Sequence, residues 1–224
     1  MRPLPLIVMA LLAATGASAA PLAPLDRLYG ERACRECDIT NDHLAGKVLD
    51  GVDLTGARLF GTIFDAASLD GANLTDADLR YASFRHASLQ GILAAGANFT
   101  EAVLVEAQLD AAKLVGVLFS EADLTGASLA RADLQQAILT GARLLGVDLS
   151  AADARGADFT FASLIRVDLR DARLSGAAFD FAVLREVDLR GATLADDALT
   201  AARLCDVTLP DGTLVGTACG AGRR

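Results

Sequence analysis

The chain has no tryptophan, two tyrosines, two histidines and five prolines among 224 residues. So few aromatics exclude a core assembled around large rings. Acid–base catalysis most often recruits histidine, and neither His43 nor His86 has a partner that the sequence fixes. There is no G-x-S-x-G, no H-E-x-x-H, no phosphate loop and no dinucleotide fingerprint. An enzyme is not expected, and neither is a cofactor. Positive charge is also scarce: Lys and Arg total 20 against 29 for Asp and Glu, a net charge of -9. A surface this acidic repels nucleic acid and anionic lipid and favours solubility. No nucleic-acid partner is expected.

What is abundant is small and aliphatic. The composition is 53% hydrophobic, most of it Ala and Leu. Part of this lies at the start, where Met1-Arg2 precedes an apolar run from Leu4 to Ala14 and Ala17-Ser18-Ala19 matches a small-x-small cleavage pattern. The apolar run is well short of the roughly 20 residues that a spanning helix needs. Residues 1–19 are therefore expected to be a signal peptide. The mature chain is expected in the periplasm or secreted, with no membrane insertion. Removing Arg2 with the leader gives 19 − 29 = −10.

The dominant signal is a period of five. From Ile39 to Leu214 every fifth residue is apolar: of 36 such centres 27 are Leu, six Phe, one Ile and two Ala, at Ala94 and Ala154. Two residues before each centre, from Val52 to Ala192, stands Ala or Val, with Thr62 and Ile92 as the exceptions. Neither a helix nor a strand repeats every five residues. A helix with Leu at that spacing would turn its stripe by roughly 140° per step and bury no continuous face. The period fits a coil with flat sides, each pentad sending one large and one small side chain inward before a corner. Gly recurs two residues after the centre, as at Gly46, Gly51, Gly56 and Gly61, where a corner favours a residue without Cβ.

The units Ala72-Asn73-Leu74-Thr75-Asp76, Ala77-Asp78-Leu79-Arg80-Tyr81, Ala122-Asp123-Leu124-Thr125-Gly126 and Ala132-Asp133-Leu134-Gln135-Gln136 resemble the A-(D/N)-L-x-x unit of pentapeptide-repeat proteins. The resemblance implies an all-β fold, a right-handed quadrilateral β-helix with four pentads per coil. The repeats then make about nine coils, and residues 20 apart stack. In that register Phe99 lies above Phe119, Phe159 above Phe179, and Phe64 above Phe84. The expected organisation is a leader over 1–19 and an N-terminal cap with its C-x-x-C over 20–38. The solenoid follows over 39–195, and the last repeats with a C-terminal cap occupy 196–224, where Pro210-Asp211-Gly212 signals a turn.

Four cysteines bracket the repeats: Cys34 and Cys37 before them, Cys205 and Cys219 at their far end. In an oxidising compartment two disulfides are expected, most economically 34–37 and 205–219. Free or redox-active thiols are the alternative, and zinc would require the two ends of a long solenoid to meet. On the outer surface, Asp148, Asp168 and Asp188 stack at ~5 Å and are a conceivable site for a hard cation. Asp is a consensus residue there, however, and Arg170 and Arg190 neutralise the column, so no metal is expected. A second side is unusually apolar, with Leu145, Phe161, Ile165, Phe181 and Val183 at outward or corner positions. A patch of that kind marks an interface, for a protein partner or for a homodimer.

The expected function is that of a non-enzymatic, extracytoplasmic scaffold that binds protein. The resemblance implies one alternative, because some members of the family imitate duplex DNA and inhibit topoisomerases. An exported chain would not meet that target.

Overall fold

The computed structural model describes residues 23–217. The expected leader and Cys219 lie outside the described residues. One pentad shows why the chain coils. The Leu129 N–H donates to the carbonyl of Asp148 in the next coil (2.7 Å), and that of Arg131 to Ser150 (2.9 Å). Asp133 donates back to Ala112 in the preceding coil (2.9 Å), and Ala132 donates across the corner to Leu129 (3.0 Å). The remaining N–H, that of Ala130, goes to the Asp110 carboxylate at 3.0 Å. Every backbone donor of the pentad is thereby satisfied, as burial of a chain demands. Elsewhere the residue before the centre takes the fifth donor. Asp53, Asn73 and Asp148 accept from the N–H two residues on, at 3.1, 3.1 and 2.8 Å. This is the physical reason for Asp or Asn before Leu.

Parallel bridges join each residue that precedes a centre to the one 20 positions later. They form four lanes, from Ala33↔Asp53 to Asp188↔Thr208. In one lane the bridges lengthen into strands: β1 Arg143–Leu145, β2 Ser163–Ile165, β3 Val183–Arg185 and β4 Arg203–Cys205, a parallel sheet in that order. The corners are left-handed whatever residue occupies them. Gly126 has φ +70° at no steric cost, but Arg131, Phe161 and Phe181 hold +59°, +60° and +58°, and side chains with Cβ are strained there.

The core is a column of ladders. Every centre from Ile39 to Leu189 is buried, as is every small inward residue from Val52 to Ala192. Each Leu or Phe contributes roughly 1.5–3 kcal/mol, and neighbouring coils supply the contacts. Phe64 stacks on Phe84 (4.8 Å, 5°) and Phe159 on Phe179 (5.0 Å, 2°), while Phe99 and Phe119 are tilted by 38°. Thr62 is the one buried polar side chain in the described core, and its hydroxyl donates to the Ile39 carbonyl at 2.6 Å. At Ile92 and Ala94 the usual sizes are exchanged, with the large residue in the small position, and both remain buried.

Both ends depart from the sequence-based expectation. The N-terminal cap is a helix, α1 Pro24–Gly30, with proline in its first turn and Leu28 buried. The ladder begins at Ala33, so the C-x-x-C belongs to the first coil and not to a separate cap over 20–38. Cys34 lies five residues before Ile39 and Cys37 two before it, and both are buried inward positions. Sulfur is apolar enough to serve in place of Leu and Ala. The two are joined as a disulfide with Cα atoms 5.3 Å apart.

At the other end the ladder runs past 195 to Thr208, but one lane stops at Ala178. Residues 196–201 form turns. Asp197 stands two residues before Leu199, where the pentads from Val52 to Ala192 place an uncharged residue, and a carboxylate buried there without a partner would be costly. Asp197 stays exposed and Leu199 is only half-buried. Beyond Thr208 the five-residue phase continues in the sequence but not in the coil. β5 Val207–Thr208 pairs antiparallel with β6 Leu214–Val215 around the Pro210-Asp211-Gly212 turn, leaving Leu214 52% exposed. Between hairpin and last coil lies a cleft of about 680 Å³ lined by Leu194, Leu199, Leu204, Leu209 and Val215.

Candidate interaction face

The reactive side chains do not converge. His43 is exposed. The His86 Nδ1 lies 3.0 Å from the Glu106 carboxylate, with both side chains 62% exposed. The 20-residue register alone would have found that pair, because Glu106 follows His86 by one coil. Asp148, Asp168 and Asp188 do stack through parallel bridges, but each accepts the backbone N–H two residues on (2.8, 3.0 and 3.1 Å). Arg170 and Arg190 also clasp the second and third. The hydrogen bonds from these guanidinium groups hold Asp168 and Asp188 below the usual carboxylate range. Among the described residues no group of His, Cys, Asp and Glu is arranged to hold a metal ion.

The apolar residues do converge. Sheet β1–β4 forms the face on which Leu145, Ile165, Val183, Phe161 and Phe181 lie. Leu145 pairs in register with Ile165, and Ser163 with Val183. Phe161 and Phe181 occupy corners at one edge of this sheet. Their rings stack with centroids 5.1 Å apart and planes 12° from parallel, yet each remains 62% exposed. Leu145, Ile165 and Val183 are half-buried. A depression of about 250 Å³ lies between Gly141, Arg143, Leu145, Ser163 and Ile165.

A second aromatic group lies farther toward the N-terminus, around Tyr81, which is also an outward corner residue of the apolar side. Phe60 packs on Tyr81 (5.1 Å), Arg80 covers Phe60 (5.6 Å), and the Tyr81 hydroxyl donates to Glu101 (2.7 Å). Its members satisfy one another. Among the described residues, the rings of Phe161 and Phe181 pair only with each other.

Comparison with known proteins then fixes the lineage. The sequence pattern of "Pentapeptide repeats" matches in eight copies, over stretches running from residue 59 to residue 196. The chain belongs to the pentapeptide-repeat family. Such proteins fold as right-handed quadrilateral β-helices, in keeping with the four parallel lanes. Among solved structures, this pentapeptide-repeat protein is similar to HetL from the cyanobacterium Nostoc sp. strain PCC 7120, a pentapeptide-repeat protein involved in heterocyst differentiation regulation. The identity is 28%, over 86% of this chain and 98% of HetL, with a TM-score of 0.51. A trypsin-treated variant of QnrB1, a plasmid-mediated fluoroquinolone resistance protein, is 16% identical over 72% of this chain and 91% of its own, with a TM-score of 0.64. At that identity the likeness is one of fold. A search of curated proteins returned no match. Pentapeptide-repeat proteins are generally non-enzymatic scaffolds, and many bind protein partners or dimerise.

Proposed function

We propose that this pentapeptide-repeat protein is a non-enzymatic, extracytoplasmic scaffold that binds a protein through the Phe161–Phe181 face. The observation that carries the reading is the exposed ring stack. Two large aromatic rings stand 62% exposed at successive corners of one column, and an exposed apolar patch of this kind marks an interface. Leu145, Ile165 and Val183 continue the apolar surface. The rod consists of about nine coils, roughly 43 Å at ~4.8 Å per strand, and presents this face as a rigid platform.

Export is supported by the leader pattern at 1–19 and by the Cys34–Cys37 disulfide. Cys205 is also disulfide-bonded, and Cys219 is its proposed partner. The alternative, imitation of DNA toward a topoisomerase, draws on the acidic charge and requires a cytoplasmic protein.

Cell fractionation combined with capture by tagged wild type and by the Phe161→Ser/Phe181→Ser variant tests the proposal. The expected result is a periplasmic or secreted protein whose partner, or whose self-association, is lost in the variant. A cytoplasmic protein that inhibits topoisomerase equally well with and without the two rings would overturn it.

A further inference from the structure

Several arginines of the rod are neutralised by an aspartate two residues earlier: Arg80 by Asp78, Arg155 by Asp153, Arg170 by Asp168 and Arg190 by Asp188, all at 2.5–2.7 Å. Others, such as Arg85 and Arg131, lack that aspartate and stand exposed, and three of this second kind gather around the Phe161–Phe181 face. Arg143, Arg166 and Arg203 are exposed, and among the described residues none has a carboxylate within ion-pair distance. All three border the apolar sheet. The register Arg143↔Ser163↔Val183↔Arg203 puts two of them at the ends of one column, with Ser163 and Val183 between. Arg166 sits beside Ile165 at the opposite edge from the rings.

Some carboxylates near this face are engaged, whereas Asp180, next to Phe181, and Glu121, in the same corner column as the rings, are exposed. Asp123, next to Arg143 in its column, turns to the N–H and hydroxyl of Thr125 (3.1 and 2.6 Å). Glu186 pairs with Arg185 at 3.2 Å. Asp206 lies at the corner beyond Arg203.

We propose that this face receives an extended acidic segment of another protein, with apolar side chains laid on Phe161 and Phe181 and carboxylates held by Arg143, Arg166 and Arg203. The inference rests on the protein-binding reading above and adds the chemistry of the partner. A guanidinium without a neighbour keeps its full fork of donors, which matches a carboxylate bidentately. Beside an apolar floor such a pair is less screened by water than one on an open surface. Three strand spacings separate Arg143 from Arg203, roughly 14 Å, and an extended chain rises ~3.3 Å per residue. Carboxylates about four residues apart, with an aromatic or aliphatic residue between them, therefore match the column. A basic segment would meet three unneutralised cations.

The test is selection of random twelve-residue displayed peptides on the immobilised full chain. Representative synthetic peptides are then titrated against wild type, Phe161→Ser/Phe181→Ser and Arg143→Gln/Arg166→Gln/Arg203→Gln. All the substituted side chains are exposed, and unchanged melting temperatures verify folding. The expected peptides carry Asp or Glu on both sides of an aromatic or aliphatic residue. They bind more weakly as salt rises, lose about tenfold or more in affinity with the arginine variant, and fail with the ring variant. Peptides that need the rings but bind the arginine variant as tightly as wild type overturn the acidic partner and leave the interface intact. Selection that yields nothing sensitive to the rings overturns both. Sedimentation with phosphatidylglycerol vesicles, or a dimer lost in the arginine variant, would assign the face to a membrane or to a second copy and overturn the inference.

Discussion

Asp168 and Arg170 are joined by a two-pronged hydrogen bond, Nη2 to Oδ2 at 2.6 Å and Nε to Oδ1 at 2.9 Å, while the same carboxylate accepts the Arg170 backbone N–H at 3.0 Å. One aspartate thereby serves the corner of the coil and neutralises its own face. Asp188 and Arg190 repeat the arrangement one coil later. A column of carboxylates that looks like a cation site in the sequence is thus already occupied by the chain's own donors.

The pH dependence follows from the same pair. The guanidinium hydrogen bond lowers the Asp168 pKa in the folded protein, as it does for Asp188, Asp78 and Asp153. A depressed folded pKa contributes stability above the unfolded carboxylate value, and this is lost as pH falls through the folded value. Melting temperature should therefore be level near neutrality and drop on acidification into and below the ordinary carboxylate range. Asp168→Asn/Asp188→Asn keeps the acceptor for the backbone N–H and removes the charge. Its melting temperature should be lower than wild type at neutral pH and converge with it in acid. A constant difference at all pH values would show that the pairs carry no linkage.

Leu129→Asp places a carboxylate on the axis, in a position with no solvent exposure. An unpaired buried charge costs several kcal/mol, and the coils on either side lose their packing together. The variant should show no cooperative melting transition by circular dichroism. A soluble variant melting with wild type would refute the inward register.

Thr62→Val removes a hydroxyl while keeping its shape. The Ile39 carbonyl then loses the Thr62 donor at 2.6 Å in a dry core. An orphaned buried acceptor costs about 1–3 kcal/mol. Chemical denaturation should show a loss of that size with an unchanged m-value. A neutral or stabilising outcome would mean that water reaches this part of the axis.

Much of the architecture was legible because the pentad writes each requirement into one position. The centre fixes what is large and buried, the residue two before it what is small, and the residue before it the donor balance. Phe64 and Phe84, Phe99 and Phe119, Phe159 and Phe179 were paired by counting 20. The same count would have found His86 with Glu106. The ends were less legible, since each is governed by a single exception to the pattern. Cys34 and Cys37 carry the ladder back through residues that do not look like Leu and Ala, and Leu214 stays in phase after the coil has ended. The apolar face could be drawn from the sequence, and so could part of the state of its arginines. Arg170 follows its centre with Asp168 two residues before it and is paired, whereas Arg143 precedes its centre with Gly141 two residues before it.

Asp197 makes this argument testable from the other direction. It occupies an inward position in a pentad whose Leu199 centre is otherwise suitable, and there the lane ending at Ala178 stops. If the charge is what interrupts the lane, Asp197→Ala should let the last coil close, bring Ala198 into a bridge with Ala178 and bury Leu199. The turn's own hydrogen bonds do not oppose the change, because Thr200 donates to the Asp197 backbone carbonyl and not to its side chain. Full burial of one leucine contributes up to about 1.5–3 kcal/mol, reduced by what Leu199 already buries. Melting temperature should rise by a few degrees, and amide exchange at Ala198 and Leu199 should slow. A variant that melts at or below the wild-type temperature, with exchange unchanged, would show that the turn ends the lane for a reason other than charge.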